Sequence, residues 1–358
     1  MAWPTVDTAR IADALPTLLA EQIIAQMNRS SPELQLIPFK AHAGKNLQWD
    51  VEFKNASESS NSALAEGATV TAYGDDDIVP AVLQFCDYSE AITVTGKAIV
   101  TARGAAGKGG ASELQDLWAQ KMLRAIRRLA KNIGRDFWVG PGTGNRMLGL
   151  YGGSTLTSGA PLSAAGTYAG IVRGTYADWA GNVLANGGVN RALSFDLMRD
   201  MRREIYEACG EMPDLIMCDP TQHEAYGKLF GDQRRYVQEV TIRGQKIALD
   251  GGYRALEFDG IPIIMSTNHP ANAISFLNTQ HVRFTALDDS PTEANRSPRM
   301  VALQAMPEEQ LMSGSTPLSA RLNPLAVVGD SYPIQMILYP QVQVERPNTC
   351  GVLSDLTG

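Results

Sequence analysis

The chain has 358 residues, of which 44% are apolar and 19% charged, a balance typical of a folded protein with a sizeable core. Its net charge of -7 argues against a dedicated nucleic-acid binder, although it leaves room for a local basic face. Four scattered cysteines form no C-x-x-C pair, which indicates reduced thiols in a cytosolic product. Neither a signal-peptide pattern nor an apolar run of ~20 residues occurs, so we expect a soluble chain without a membrane partner.

The first 38 residues are predicted to form an arm, because four prolines divide them into short pieces. Residues 17–28 have the apolar spacing of a helix. This helix packs either on its own domain or on a neighbouring subunit, and the sequence leaves both alternatives open.

A strand-rich region follows the arm. Leu47, Trp49, Val51 and Phe53 alternate with polar residues, which predicts a half-buried strand. After a polar stretch, residues 69–73 are expected to return as the second strand of a long hairpin. An isolated two-stranded hairpin is marginally stable in water. We therefore expect another surface, such as another copy of the protein, to support it.

A long amphipathic helix is predicted over residues 112–139. Ser112 and Gln115 have the S-x-x-Q spacing of a capping box, and Gly140-Pro141 ends the pattern. Its apolar positions are Leu114, Leu117, Trp118, Met122, Ile126, Leu129, Ile133 and Phe137. Its opposite face is basic, with Lys121, Arg124, Arg127, Arg128, Lys131 and Arg135. Such a face is usually solvated; contact with nucleic acid is the alternative.

The second half of the chain alternates helices and strands. A Gly-rich turn at 139–153 leads into loops and short helices up to residue 192. The elements predicted next are a helix at 194–209, a strand at 215–218, a helix capped by Asp219, a flexible loop at 231–253, a hairpin turning at Asp259-Gly260, strands at 273–277 and 282–287, and closing strands at 299–304 and 334–344. Pro340 indicates an edge or a bulge in the last of these.

No familiar catalytic signature is complete. Residues 104–112 (GAAGKGGAS) lack the first Gly and the Ser or Thr of a phosphate-binding loop. No G-x-S-x-G occurs, and the four histidines lack the spacing of zinc ligands. We therefore predict no catalytic, cofactor-binding or metal-binding residue, and the chain is not expected to be an enzyme. An enzyme with an unrecognised site stays open as an alternative.

Four motifs in a fixed order carry a family resemblance. Residues 65–67 (AEG) lie between the predicted hairpin strands, and residues 136–144 (DFWVGPGTG), followed by Gly149-Leu150, end the long helix. Residues 215–220 (LIMCDP) are a strand leading into a helix, and residues 258–266 (FDGIPIIMS) are a strand containing G-x-P. In this order they resemble the major capsid protein of tailed bacteriophages, with the Hong Kong 97-type fold that encapsulins share.

The resemblance implies an α+β protein with the Hong Kong 97-type capsid fold and a structural function. The implied divisions are an N-terminal arm at 1–38, an extended hairpin loop at 39–80, a peripheral domain at 81–150 and 271–358 with the spine helix at 112–139, and an axial α/β domain at 151–270. Copies of the chain would assemble into an icosahedral shell around a double-stranded DNA genome. An encapsulin-type compartment shell is the alternative.

Contacts between subunits are also implied by the resemblance. The candidate residues are Trp49, Phe53, Lys54, Glu66, Tyr73, Arg124, Arg128 and Asn348. Some relatives lock the shell with a Lys–Asn isopeptide bond, and Lys54 and Asn348 are the residue types that this bond needs.

The partners implied by the resemblance follow from shell assembly. They are further copies in hexamer and pentamer capsomers, a portal protein and packaged DNA bound without sequence specificity. A long N-terminal helical extension is missing from the sequence, which implies either a separate scaffolding protein or a cleaved precursor. Whether a decoration protein binds is left open. The expected location is the virion, after assembly in the host cytoplasm.

Overall fold

The structure is a computed structural model. It describes residues 31–42, 44–53, 66, 78–98, 110–229, 239–242, 245–248, 256–287, 321–324 and 330–357. The described helices are α1 (Pro32–Leu36), α2 (Gly110–Val139), α3 (Phe195–Cys209) and α4 (Pro220–Leu229).

The strands of the first half are short and lie mainly before and after α2. They are β1 (Phe39–His42), β2 (Asn46–Glu52), β3 (Ile78–Gln84), β4 (Tyr88–Thr95), β5 (Thr167–Tyr168), β6 (Ile171–Val172) and β7 (Asn182–Leu184).

The strands of the second half alternate with α3 and α4 and then close the chain. They are β8 (Leu215–Cys218), β9 (Glu239–Ile242), β10 (Gln245–Ala248), β11 (Leu256–Phe258), β12 (Ile261–Met265), β13 (Ile274–Leu277), β14 (Val282–Leu287), β15 (Arg321–Pro324), β16 (Ser331–Leu338), β17 (Pro340–Val344) and β18 (Gly351–Leu353).

Helix α2 begins two residues before the predicted cap and ends at the predicted residue. Its buried residues include Leu129, Ile133 and Phe137, which are members of the predicted apolar stripe. Phe137 packs on Phe284 of β14, with the ring centroids 4.9 Å apart. On its other flank Lys121 donates a hydrogen bond to a carbonyl of β4. The helix therefore lies against two sheets, which agrees with its length and its single apolar stripe.

Two three-stranded sheets support α2, with strand orders β1-β14-β17 and β15-β16-β4. The predicted single strand at 334–344 is divided between them. Strand β16 pairs with β4, whereas β17 pairs with β14. The division falls at Tyr339, just before Pro340, whose ring nitrogen has no hydrogen to donate to a ladder.

A six-stranded sheet with the order β11-β12-β8-β13-β18-β7 forms the second core. Helix α3 packs its buried Met198, Met201 and Ile205 on this sheet. The two inner strands β13 and β18 come from residues beyond the predicted end of the axial domain at 270, since they pair with β8 and with each other. The sheet thus continues across that predicted boundary.

Side-chain caps begin α3 and α4, and the cap at Asp219 is the predicted one. The Ser194 side chain accepts a hydrogen bond from the backbone N–H of Leu197 at the start of α3. Asp219 accepts bonds from the N–H groups of Thr221 and Gln222 at the start of α4. The Gln222 side chain donates to the Thr357 carbonyl, so it is used in a tertiary contact.

One loop prediction is wrong. Residues 239–248 lie within the predicted flexible loop at 231–253, yet β9 and β10 pair there as an antiparallel hairpin. The apolar residues Val240, Ile242 and Ile247 are too few to produce a clear alternating pattern among polar neighbours. The predicted elements at 17–28, 69–73 and 299–304 lie outside the described residues.

Candidate assembly surfaces

The base of the hairpin is held to the body by aromatic packing. Strands β2 and β3 pair antiparallel from Asn46 opposite Gln84 to Glu52 opposite Ile78. On the inner face, Phe53 stacks on Tyr176 with ring centroids 4.1 Å apart and meets the edge of Trp179 at 6.0 Å. These aromatic contacts hold the residue that follows β2 against the body.

The outer face of the hairpin is acidic and partly apolar. Asp50 and Glu52 are exposed on β2. The facing strand β3 presents Ile78, whose exposed fraction is 55%. An exposed β-branched side chain beside two carboxylates gives this face both an apolar and a charged contact for another surface.

A buried arginine organises the loop that carries Trp179. The Arg173 guanidinium donates hydrogen bonds to the carbonyls of Ala160, Pro161, Ala165 and Trp179 at 2.9–3.0 Å. Burial lowers the pKa of Arg173 to about 10. Sequence reasoning missed this residue, because an isolated Arg among Gly and Ser residues has no periodic signal.

The Gly-rich motif after α2 closes around a buried carboxylate. Asp136 accepts hydrogen bonds from the Tyr88 hydroxyl at 2.7 Å and from Arg146 Nε at 2.9 Å. Burial opposes ionisation, but the bonds from Arg146 and Tyr88 outweigh it and hold the pKa of Asp136 below its usual range. The Tyr88 hydroxyl in turn accepts the backbone N–H of Met147. Strand β4, the helix end and the turn are thereby joined.

The glycines of this motif allow two backbones to approach closely. The Gly149 N–H donates to the Gly140 carbonyl at 2.9 Å. A Cβ at Gly140 would lie 2.2 Å from the Met147 carbonyl oxygen, and one at Gly149 would lie 2.4 Å from the Asp136 carbonyl oxygen. Any side chain at either position would push the turn off the helix end.

A second buried carboxylate anchors α1 where the N-terminal segment meets the body. Glu33 accepts hydrogen bonds from Asn268 Nδ2 at 2.6 Å and from the Ser266 hydroxyl at 3.0 Å. A Cβ at Gly134 of α2 would lie 2.7 Å from Glu33 Oε1, so a glycine is required there. Burial raises the pKa of Glu33 to about 7.

A neutral histidine sits close by in the same core. His269 Nε2 lies 2.8 Å from the Ser275 hydroxyl, and Nδ1 lies 2.8 Å from the Pro270 carbonyl. The Tyr151 hydroxyl also bonds Ser275, at 2.7 Å. Burial lowers the pKa of His269 to about 3, so this ring is uncharged at physiological pH.

Two connections join the six-stranded sheet to the β1-β14-β17 sheet, one from β13 to β14 and one from β17 to β18. Both contact Glu211. His281 Nε2 and Asn278 Nδ2, which follow β13, lie 3.0 Å from its carboxylate. Arg346, which follows β17, donates to it at 2.7 Å. Burial opposes ionisation of Glu211, but these bonds outweigh it and lower its pKa. Glu211 therefore ties the two connections to the end of α3.

The exposed face of α2 is basic. Arg124 and Arg128 are exposed, and Arg128 forms an ion pair with Glu90 of β4. Lys121 donates to the Thr93 carbonyl at 2.7 Å. The face therefore begins beside β4 and continues along the helix.

A family model described as SU10 major capsid protein matches residues 11–299. The chain belongs to this family. Its role is accordingly structural, as a subunit of a bacteriophage capsid shell, and the predicted Hong Kong 97-type α+β fold is confirmed. No curated protein matches the chain in sequence.

Solved structures of shell proteins share this fold. The capsid subunit of cyanophage A-1(L) is similar with a TM-score of 0.64 and 18% identity, over 92% of this chain and 93% of that one. The SrpI encapsulin of Synechococcus elongatus has a TM-score of 0.54 and 11% identity, over 95% of each chain. The capsid of a native GTA particle has a TM-score of 0.51 and 12% identity, over 92% and 91%.

The eight predicted contact residues of this capsid subunit fall in different environments. Trp49 and Phe53 pack within the chain, and Trp49 Nε1 donates to the Glu345 carbonyl at 3.4 Å. Glu66, Arg124 and Arg128 are exposed. Half-buried Asn348 uses its carbonyl to accept a bond from Asn182. Lys54 and Tyr73 lie outside the described residues.

Within the part of the chain that the structure describes, no helix has the length and apolarity to cross a bilayer. In that same part, no three His, Cys, Asp or Glu side chains are grouped as metal ligands would be.

Proposed function

We propose that this capsid subunit tiles a closed icosahedral shell that holds double-stranded DNA inside the virion. The observation that carries the proposal is the presence of both a long spine helix, α2, and paired strands β2 and β3 in a chain of the SU10 capsid family. Closed shells need one subunit to fit several environments, and an extended hairpin loop would serve that need. Hexamer and pentamer capsomers are the expected assemblies.

The outer face of the hairpin is the proposed contact to a neighbouring subunit. Ile78 and the acidic pair Asp50 and Glu52 are exposed there, whereas Trp49 and Phe53 on the inner face are used within the chain. The two aromatic residues therefore support assembly by positioning the hairpin. Glu66 remains a proposed direct contact because it is exposed. Arg124 and Arg128 are exposed too, but they lie on the basic face of α2 and not on the hairpin.

The proposed domain division follows the two cores. The six-stranded sheet with α3 and α4 forms the proposed axial domain, to which β13 and β18 contribute through pairing with β8. The two three-stranded sheets with α2 form the proposed peripheral domain. Residues 1–38 are the proposed arm. Residues 39–80 are the proposed hairpin loop, apart from β1, which belongs to the β1-β14-β17 sheet.

We infer that this chain has no catalytic role. Ser275 and His269 are 2.8 Å apart and have the residue types of a nucleophile and a base. Both are buried, and His269 Nδ1 faces the Pro270 carbonyl where a catalytic triad has a carboxylate. This pair is better explained as a hydrogen-bonded contact in the core.

The remaining proposed partners follow from shell assembly in the host cytoplasm. A scaffolding protein and a portal protein are proposed, and a decoration protein is an optional addition. A cross-link between Lys54 and Asn348 would appear as covalent multimers on a denaturing gel of mature particles. A gel with monomers alone would exclude it.

Electron microscopy of the purified chain tests the proposed function. We expect uniform shells, either from the chain alone or when the products of neighbouring genes are coexpressed. Small compact oligomers under every condition would contradict the shell. Nuclease-protected DNA inside the particles distinguishes a genome capsid from an encapsulin-type shell, which would contain a protein cargo.

A further inference from the structure

Four cations form a straight stripe on the exposed face of α2. Arg124, Arg128, Lys131 and Arg135 follow one another at intervals of four, three and four residues, and all are exposed. Helical geometry places such residues on one side, over a length of ~16 Å. Asn132 is the remaining exposed residue of α2 among those whose side chains the structure describes.

The stripe carries charge that the fold does not neutralise. Residues 121–139 contain six basic residues and one acidic residue, whereas the whole chain has a net charge of -7. Glu90 pairs with Arg128, and buried Asp136 lies 3.3 Å from Arg135. Arg124 and Lys131 have no hydrogen bond or ion pair in the described part of the chain. Like charges at these spacings destabilise a helix, so a ligand that offsets the repulsion is the simplest explanation.

The composition of the stripe favours phosphate over a protein partner. The cores of protein interfaces are enriched in aromatic residues, Met and Arg and depleted in Lys. The stripe has Arg but neither an aromatic residue nor Met. The stripe offers four cations, and the amide of exposed Asn132 lies beside them. Such side chains donate to phosphate oxygens without reading base sequence. The exposed apolar side chain near the hairpin, Ile78, belongs to a different strand and sheet.

We propose that Arg124, Arg128, Lys131 and Arg135 bind the phosphate backbone of double-stranded DNA, and that this face of α2 points into the shell. The inference rests on the proposed function, because a shell is what brings DNA against its inner surface. The alternative occupant is the acidic outer face of a second copy, at Asp50 and Glu52.

The test is binding of a fluorescent 30-base-pair duplex of random sequence to the full chain at several salt concentrations. The variant R124Q/K131Q removes two cations that have no hydrogen bond or ion pair among the described residues. Each phosphate contact contributes a slope of ~0.9 in log affinity against log salt. We expect the variant to lose a slope of about 2 and to bind about fiftyfold more weakly at 0.1 M salt.

Two matched variants separate the stripe from general charge. R199Q/R203Q makes the same charge change on the exposed face of α3 and should leave the slope unchanged. R124K/K131R keeps both charges and should bind like the parent chain. Equal losses in the two Gln pairs, or no loss in R124Q/K131Q, would overturn the proposal.

Particle formation is measured separately by electron microscopy. If R124Q/K131Q fails to assemble and the addition of D50N/E52N to this variant restores assembly, the stripe is a contact between copies. The DNA proposal would then be wrong. If the parent chain forms no shells yet binds the duplex through the stripe, the proposed function fails while the binding site stands.

Discussion

Asp136, in the last turn of α2, and Glu33, in the neighbouring helix α1, are both buried carboxylates, yet their charge states differ. Asp136 has Arg146 beside it and stays ionised, with a lowered pKa. Glu33 has neutral donors, Asn268 and Ser266, and its pKa is raised to about 7. Hydrogen bonds alone do not offset burial of a charge, whereas a hydrogen-bonded cation does.

Removing the ionised member should have the largest effect. Asp136→Ala leaves Arg146 and the buried Tyr88 hydroxyl without their shared acceptor, so we expect a loss of about 4 kcal/mol in the free energy of unfolding. Urea unfolding of the unassembled subunit measures it. Arg199→Ala, in an exposed pair on α3, is the control and should cost almost nothing. A loss below that of a surface pair would show that the Asp136 cluster does not anchor the helix end.

Glu33→Gln should increase the free energy of unfolding, by an amount that depends on pH. The folded-state pKa of Glu33 lies near 7, above the unfolded value of 4.5. The parent chain therefore loses stability as pH rises from about 4.5 to 7, by about 3 kcal/mol in total. The variant lacks this loss and should be more stable than the parent at pH 8, with a smaller advantage at pH 5. An advantage that does not change with pH would contradict an ionising Glu33.

His269 should produce the opposite pH slope from the same region. Its folded pKa is about 3 against 6.5 when unfolded, so stability falls as pH drops below 6.5. Between pH 6.5 and pH 5 the loss should approach about 2 kcal/mol. His269→Gln should flatten this part of the curve, measured by thermal unfolding in a pH series. The control is His42→Gln, on the exposed side of β1, which should preserve the slope.

Removal of the exposed ion pair between α2 and β4 should have the smallest effect on the free energy of unfolding. Arg128 pairs with Glu90, but its side chain is 59% exposed. Water and salt screen such pairs. Glu90→Gln should change the free energy of unfolding by less than about 0.5 kcal/mol. A loss that persists in 1 M salt would mean that the pair is more buried than its exposure indicates.

The structural features that depend on neighbouring residues in the chain were predictable from the sequence. The D-F-x-x-G-x-G-T run at 136–143 marked the helix end, although only the structure shows that Asp136 holds Arg146 and Tyr88. The Asp219 cap and the Asp259-Gly260 turn were found because caps and tight turns depend on adjacent residues, and Asp259 and Gly260 both have positive φ.

The parts that depend on distant residues were not predictable. Glu33 meets Ser266, which is 233 positions away, and no spacing rule connects them. The β9–β10 hairpin was missed because its pattern is short. The break at Tyr339 was missed because both sides of it are extended and apolar, and only pairing assigns them to different sheets.

That break at Tyr339 gives the closing segment a mechanical role. Within 23 residues, from Ser331 to Leu353, the backbone passes through β16, β17 and β18 and so enters three separate sheets. A tensile force that pulls these sheets apart is resisted by covalent bonds along this segment as well as by side-chain packing between them. Strain on one part of a shell wall would thus be shared among the three sheets that β16, β17 and β18 join in each subunit.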